Sequence, residues 1–133
     1  MSSEITVISG LTVRKGSLQY VGQPQSFQAD MLGKIGPAVG AIQVSTAGTD
    51  VSLSQLTMLG GWCRIRNLEV DVGTGTVTNN WVFGGPKSGG VLVPFFWLLP
   101  GEDFVLRLYP GMSVFQLKAS HMTADVDISA FDQ

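Results

Sequence analysis

The sequence predicts an all-β protein: a single-domain antiparallel β-sandwich, jelly-roll-like in its strand spacing. Three observations predict it. Apolar and polar residues alternate with a period of two in segment after segment, the pattern of a half-buried strand. No long window places apolar residues at i, i+3, i+4 and i+7 without an interrupting Gly or Pro. Finally, 17 Gly and 6 Pro punctuate 133 residues, as many short strands require. The length fits one domain with one core.

The elements follow in chain order. Residues 1–16 are read as an N-terminal arm or first strand, and residues 17–133 as the sandwich. In the arm, Ile5, Val7, Leu11 and Val13 are strand formers separated by Ser9-Gly10. Such a strand must pair with a sheet edge, its own or a neighbour's, to satisfy its backbone. Strands are expected at Gly16–Val21 and Ala41–Thr46. Between them, Met31-Leu32-Gly33-Lys34-Ile35-Gly36-Pro37 is apolar but too broken for regular structure, so it is a tucked loop or a contact surface. From Thr49 to Thr57, Val51, Leu53, Gln55 and Thr57 oppose Asp50, Ser52 and Ser54. From Trp62 to Val72 the apolar parity switches after Ile65, which predicts a bulge or turn near Arg66–Leu68. Gly73-Thr74-Gly75 opens a loop, and a strand is expected over Asn80–Phe83.

Pro100-Gly101 and Pro110-Gly111 are turn dipeptides, with Pro pre-setting φ and Gly accepting a positive one. They bracket Phe104–Tyr109, where Phe104, Leu106 and Leu108 face one way. Three successive antiparallel strands are expected here. Val114–Ala119 alternates likewise. Ala124–Ala130 is the cleanest strand, with Ala124, Val126, Ile128 and Ala130 opposing Asp125, Asp127 and Ser129. Eight to ten strands are expected in all.

Composition bounds the function. Charged residues are 14% of the chain, against about 25% in an average domain. The first sixty residues carry only Glu4, Arg14, Lys15, Asp30, Lys34 and Asp50. Either a neutral Ser/Thr surface or a covering partner accounts for this shortage. The net charge of −2 argues against a strongly basic nucleic-acid binder. The single cysteine, Cys63, rules out an internal disulfide. Met1-Ser2-Ser3-Glu4 lacks a basic n-region, which argues against a secretory signal. The longest apolar run, Val91–Leu99, is broken by Pro94 and falls far short of the ~20 residues of a spanning helix. No membrane partner is expected.

Candidate chemistry is sparse. His121 is the lone histidine; on an extended chain its neighbour Ser120 points to the opposite face and does not serve it. With one His and one Cys, a zinc site would have to borrow carboxylates. Asp125 with Asp127, and Glu102 with Asp103, read as solvated acidic groups, lacking any Gly-turned calcium loop. Gly73-Thr74-Gly75 is a fragment of a dinucleotide fingerprint with no helix after it, and Lys87-Ser88 lacks the glycine that precedes the lysine of a phosphate loop. Trp62, Trp81 and Trp97 are core packing or a sugar-stacking platform. Arg64 and Arg66 share a strand face with Trp62 and are read as a contact patch or as cross-strand partners of Glu69 or Asp71. No catalytic residue, cofactor or metal is expected.

A series of short phrases in order carries a resemblance. They are Gln28-Ala29-Asp30-Met31 with Gly33, Gly60-Gly61-Trp62-Cys63-Arg64-Ile65-Arg66-Asn67-Leu68, and Trp81-Val82-Phe83-Gly84. Leu99-Pro100-Gly101-Glu102 and Gln116-Leu117-Lys118-Ala119 follow. Over residues 26–131 this order resembles small all-β virion proteins of tailed bacteriophages, with Gly73–Asn79 as an insertion. The resemblance implies a structural part of the particle, located in the virion after synthesis in the host cytoplasm. A capsid decoration (cement) protein binding the major capsid protein ranks first. A tail, collar or fibre-junction protein ranks second, and a carbohydrate-binding sandwich module third. A homo-oligomer is expected, with a trimer favoured. Its interface is placed on Ile5, Val7, Leu11 and Val13, on Met31, Leu32, Ile35 and Pro37, and on Val91, Pro94, Phe95, Phe96 and Trp97.

Overall fold

A computed structural model describes residues 4–69 and 80–133. The proposed insertion and the Val70, Asp71 and Val72 positions lie outside the described residues. The chain divides into two compact units, residues 1–32 and 33–133. All regular structure among the described residues is strand.

The first unit is a ribbon. Strands β1 (Ile5–Lys15) and β2 (Leu18–Ala29) pair antiparallel through Lys15 opposite Leu18. Gly16 and Ser17 form the two-residue loop, and Gly16 has φ 57°, which places glycine at the first centre of a type II′ turn. The boundary therefore falls after Leu32 rather than at residue 16. The strand expected at Gly16–Val21 is the start of a longer one whose partner is the arm itself.

The second unit is the sandwich. Its strands are β3 (Ala38–Val44), β4 (Thr49–Ser52), β5 (Trp62–Asn67), β6 (Val82–Gly85), β7 (Lys87–Ser88) and β8 (Val91–Leu92). They continue with β9 (Phe96–Leu98), β10 (Asp103–Arg107), β11 (Val114–Ala119) and β12 (Ala124–Ala130). One sheet has the order β10-β5-β12-β3 and the other β4-β11-β6-β9, while β7 and β8 form a small hairpin. All pairings are antiparallel. Except between β6 and β9, each long strand is followed by one in the opposite sheet, the strand order of a jelly roll. Twelve described strands exceed the eight to ten expected, because two of them have only two residues each. The Pro-Gly dipeptides also act differently from expectation. They carry the chain from β9 to β10 and from β10 to β11, across the sandwich, so these strands are not hydrogen-bonded neighbours.

The alternation explains the core. Cys63 and Ile65 of β5, Val126 and Ile128 of β12, and Leu117 of β11 are all buried, as are Val44, Val51 and Val82. The alternation expected to run to Thr57 stops at Leu53. Beyond it the Leu56 N–H donates to the Leu53 carbonyl in a turn.

Buried polar groups fasten the ends. Asn67 occupies the inward position at the end of β5, where the parity switches. Its Nδ2 donates to the carbonyls of Leu98 (3.1 Å) and Asn80 (3.3 Å), and its Oδ1 accepts the Glu69 N–H at 3.0 Å. Asn80 in turn donates to the Met122 carbonyl at 2.7 Å and accepts the His121 N–H at 3.1 Å.

Asp132 does the same at another corner. Its buried carboxylate accepts N–H groups from Lys34, Ile35, Thr57 and Met58 at 2.9–3.2 Å, and the Thr57 hydroxyl at 2.8 Å. Burial pushes the carboxyl up. The bonds from Met58, Ile35 and Thr57 outweigh it and hold it down at about 2. The broken apolar segment thus resolves into a loop whose Gly33, Lys34 and Ile35 are tied to Asp132 and Gln133. Gly33 is required there, because an added Cβ would run into the Asp132 carboxylate and stand 2.6 Å from the Asp132 Cβ.

Candidate functional site

Two exposed apolar surfaces stand out, one on each unit. The first is the ribbon. Ile5 lies opposite Ala29, Val7 opposite Phe27, Val13 opposite Tyr20 and Lys15 opposite Leu18. Directly opposed residues project to the same face. β1 advances two residues from Ser9 to Leu11 while β2 steps three, from Gln25 to Gly22. That bulge switches the parity of β2 and keeps its apolar residues on the side that β1 prefers. One face therefore carries Ile5, Val7, Leu11, Val13, Leu18, Tyr20 and Phe27. The other carries Thr6, Thr12, Arg14, Gln19, Ser26 and Gln28, with Ile8 and Val21 as its apolar exceptions.

The apolar face is open: Leu11 is 63% exposed, Leu18 59% and Tyr20 54%. The ribbon is two-stranded among the described residues, so it has two outer edges open to strand addition. Its base is closed by the Met31 N–H donating to the Glu4 carboxylate at 2.8 Å. The four arm residues expected at an interface are thus four of the seven apolar residues of this face. Leu18, Tyr20 and Phe27 are the three that sequence reasoning missed. The signal was present in Gly16-Ser17, a two-residue hairpin loop of the Gly-X type.

The second surface lies on the outer side of β6 and β9. Phe83 is flanked in register by Trp97 on β9 and by Lys118 on β11. Trp81 packs edge-on to Trp97 at 5.2 Å and tilted to Phe83 at 5.4 Å. With Pro94 and Phe95, 73% exposed, they border a shallow groove of about 390 Å³. Trp62 is not part of it. It sits on the outer face of the other sheet, where the Arg107 guanidinium lies 5.3 Å over its ring.

The remaining interface candidates divide. Leu32, Ile35, Pro37, Val91, Pro94 and Trp97 are exposed, and Met31 is half-buried. Phe96 is half-buried: it packs against the core, 5.0 Å from the Phe104 ring, and also lines the groove.

The polar candidates are structural partners. Arg64 is ion-paired with Asp103, Nε to Oδ2 at 2.7 Å, and Arg66 lies in register with Asp103 and Asp127. Glu69, one of the partners expected for them, instead accepts from Asn80, and Asp71 lies outside the described residues. Glu102 caps its turn through the Leu99 N–H at 2.7 Å. Lys87 bonds Asp50 at 3.2 Å. Ser120 and His121 overturn an expectation: Oγ lies 2.7 Å from Nδ1, because residues 120–122 bend rather than extend. The pair is exposed, and the same Oγ accepts the Trp81 N–H at 2.9 Å, which makes it a turn contact. Cys63 is buried, and burial pushes its thiol up to about 12. Among the described residues, no three His, Cys, Asp or Glu side chains gather as metal ligands. The Gly73-Thr74-Gly75 fragment lies outside the described residues.

The fold and these surfaces define the class of protein: an antiparallel jelly-roll sandwich joined to an amphipathic two-stranded ribbon. Comparison with family models, with curated proteins and with solved structures finds no match to this chain.

Proposed function

We propose that this protein is a non-enzymatic structural component of a tailed-bacteriophage particle: a decoration protein that binds the major capsid protein lattice and stabilises the head. The observation that carries the reading is the ribbon. A lone two-stranded hairpin is marginal in water, and an apolar face of this length needs covering. A protein surface with a free strand edge or an apolar trough covers it, by side-chain burial and by strand addition. A homotrimer is the free state in this reading, with ribbon faces shared between copies. The jelly roll supports it as an architecture used by capsid and lectin domains. The low charge agrees, since exposed ribbon and loop surface is reserved for contacts.

The test is binding of the full chain to purified heads that lack it, measured by co-sedimentation and copy number. Hundreds of copies per particle are expected. A dozen or fewer would move the protein to the tail, collar or fibre junction. A variant with Leu11→Ser and Phe27→Ser should fold and fail to bind heads or to oligomerise. Undiminished binding of that variant would overturn the role of the ribbon.

A further inference from the structure

We propose that the aromatic groove on the second unit binds a glycan strand bearing carboxylated sugars, a role separate from attachment through the ribbon. The groove is walled by Trp81, Phe83, Phe95 and Trp97, with Pro94 at its margin and Phe96 behind. Its walls carry no Leu, Ile, Val or Met, the side chains that fill peptide-docking troughs. A pyranose ring presents a flat C–H face ringed by hydroxyls. The C–H face packs on the electron-rich face of an exposed aromatic ring, and the hydroxyls reach outward to polar neighbours.

The polar neighbours are present on the same sheet face. Lys118, Phe83 and Trp97 form one lateral row across β11, β6 and β9, so a lysine stands next in register to the aromatic strip. Gln116 lies two residues along β11 on the same side, its Nε2 donating to Asp50 at 3.1 Å. The charges there decide the ligand class. Lys87 is neutralised by Asp50, and Arg64 on the other sheet by Asp103. Lys118 has no ion-pair partner among the described residues. An unneutralised cation beside stacking rings matches a carboxylate carried on a sugar. Trp97 and Phe95 are the contact rings, being 54% and 73% exposed; Trp81 supports Trp97 edge-on.

The experiment titrates the full chain with a galacturonate hexamer and, separately, with uncharged maltohexaose, read by tryptophan emission. The acidic oligomer is expected to give a saturable change and to bind more tightly than the neutral one. Trp97→Ala should weaken it about tenfold, the size of one lost stacking contact. Lys118→Gln should abolish the preference for the acidic oligomer over the neutral one. Far-UV spectra check folding, and Phe95→Ser is the second variant should Trp97→Ala unfold. No saturable change with either oligomer would overturn the proposal, as would wild-type affinity in both aromatic variants. Equal binding of the two oligomers would overturn the role of Lys118. Loss of self-association in Trp97→Ala, without any response to sugar, would assign the groove to protein docking and overturn it too.

Discussion

Replacing Asn67 by Leu pits apolar burial against hydrogen bonding at one buried position. Asn67 is fully buried at an inward site of β5, where a leucine of similar size would raise the apolar content of the core. Its three hydrogen bonds serve backbone groups of Glu69, Asn80 and Leu98. Losing the bonds to two carbonyls costs ~1 kcal/mol each, and leaving the Glu69 N–H unpartnered costs ~2 kcal/mol. A buried leucine returns ~2 kcal/mol. Asn67→Leu should therefore be destabilised by about 2 kcal/mol, and Asn67→Ala, with no apolar compensation, by about 4 kcal/mol. With a urea slope of ~2 kcal/mol/M for a unit of this size, the midpoints fall by about 1 M and about 2 M. Urea unfolding followed by tryptophan emission measures both. An Asn67→Leu midpoint at or above the wild type would refute the reasoning, because the polar corner would then be dispensable.

Other outcomes follow from the same structure. Asp132 has its carboxyl held at about 2 against an ordinary 3.8, so its contribution is fully present above pH 3.8 and is lost as pH falls towards 2. Acid unfolding of Asp132→Asn should lack that step, and an unchanged acid profile would contradict the assignment. Gly33→Ala, which pushes a methyl group into the same carboxylate, should lower Tm, with scanning calorimetry as the check. Cys63 should resist a thiol reagent in the native protein and react with one equivalent after unfolding; fast native labelling would show that the core opens. Removing residues 1–32 should leave a folded sandwich with an all-β spectrum, since that segment is a compact unit by itself.

Strand alternation in the sequence located β11 and β12 to the residue, because each buries one face and wets the other. It also separated Phe104 and Leu106 of β10 from Val105 and Arg107. The sheet to which each strand belongs was not legible. Pro-Gly dipeptides specify a turn and say nothing of whether the chain returns to its own sheet or crosses to the opposite one. The ribbon escaped for a different reason. The apolar residues of β2 change parity at the bulge between Leu18-Tyr20 and Phe27-Ala29, so no single alternation spans them. Ser120 and His121 were misjudged because an extended backbone was assumed where the chain bends. The aromatic groove depends on register between β6 and β9, and register is a property of pairing rather than of either strand alone. The ion pair of Arg64 with Asp103, and the register of Arg66 with Asp127, were hidden for the same reason.

The crossing pattern of the jelly roll has a consequence for how the protein is made. β12 lies between β3 and β5, so that sheet stays split until β12 itself has been made. β11 likewise joins β4 to β6. A chain synthesised from its N-terminus must hold β3 through β10 without either sheet complete, which favours slow, late folding dominated by distant contacts. The ribbon pairs only with itself through a tight loop and is free to form early. A nascent chain would thus display its sticky face before the sandwich exists. Ribosome-stalled chains ending before Ala124 should be captured through the ribbon while the sandwich remains open to protease.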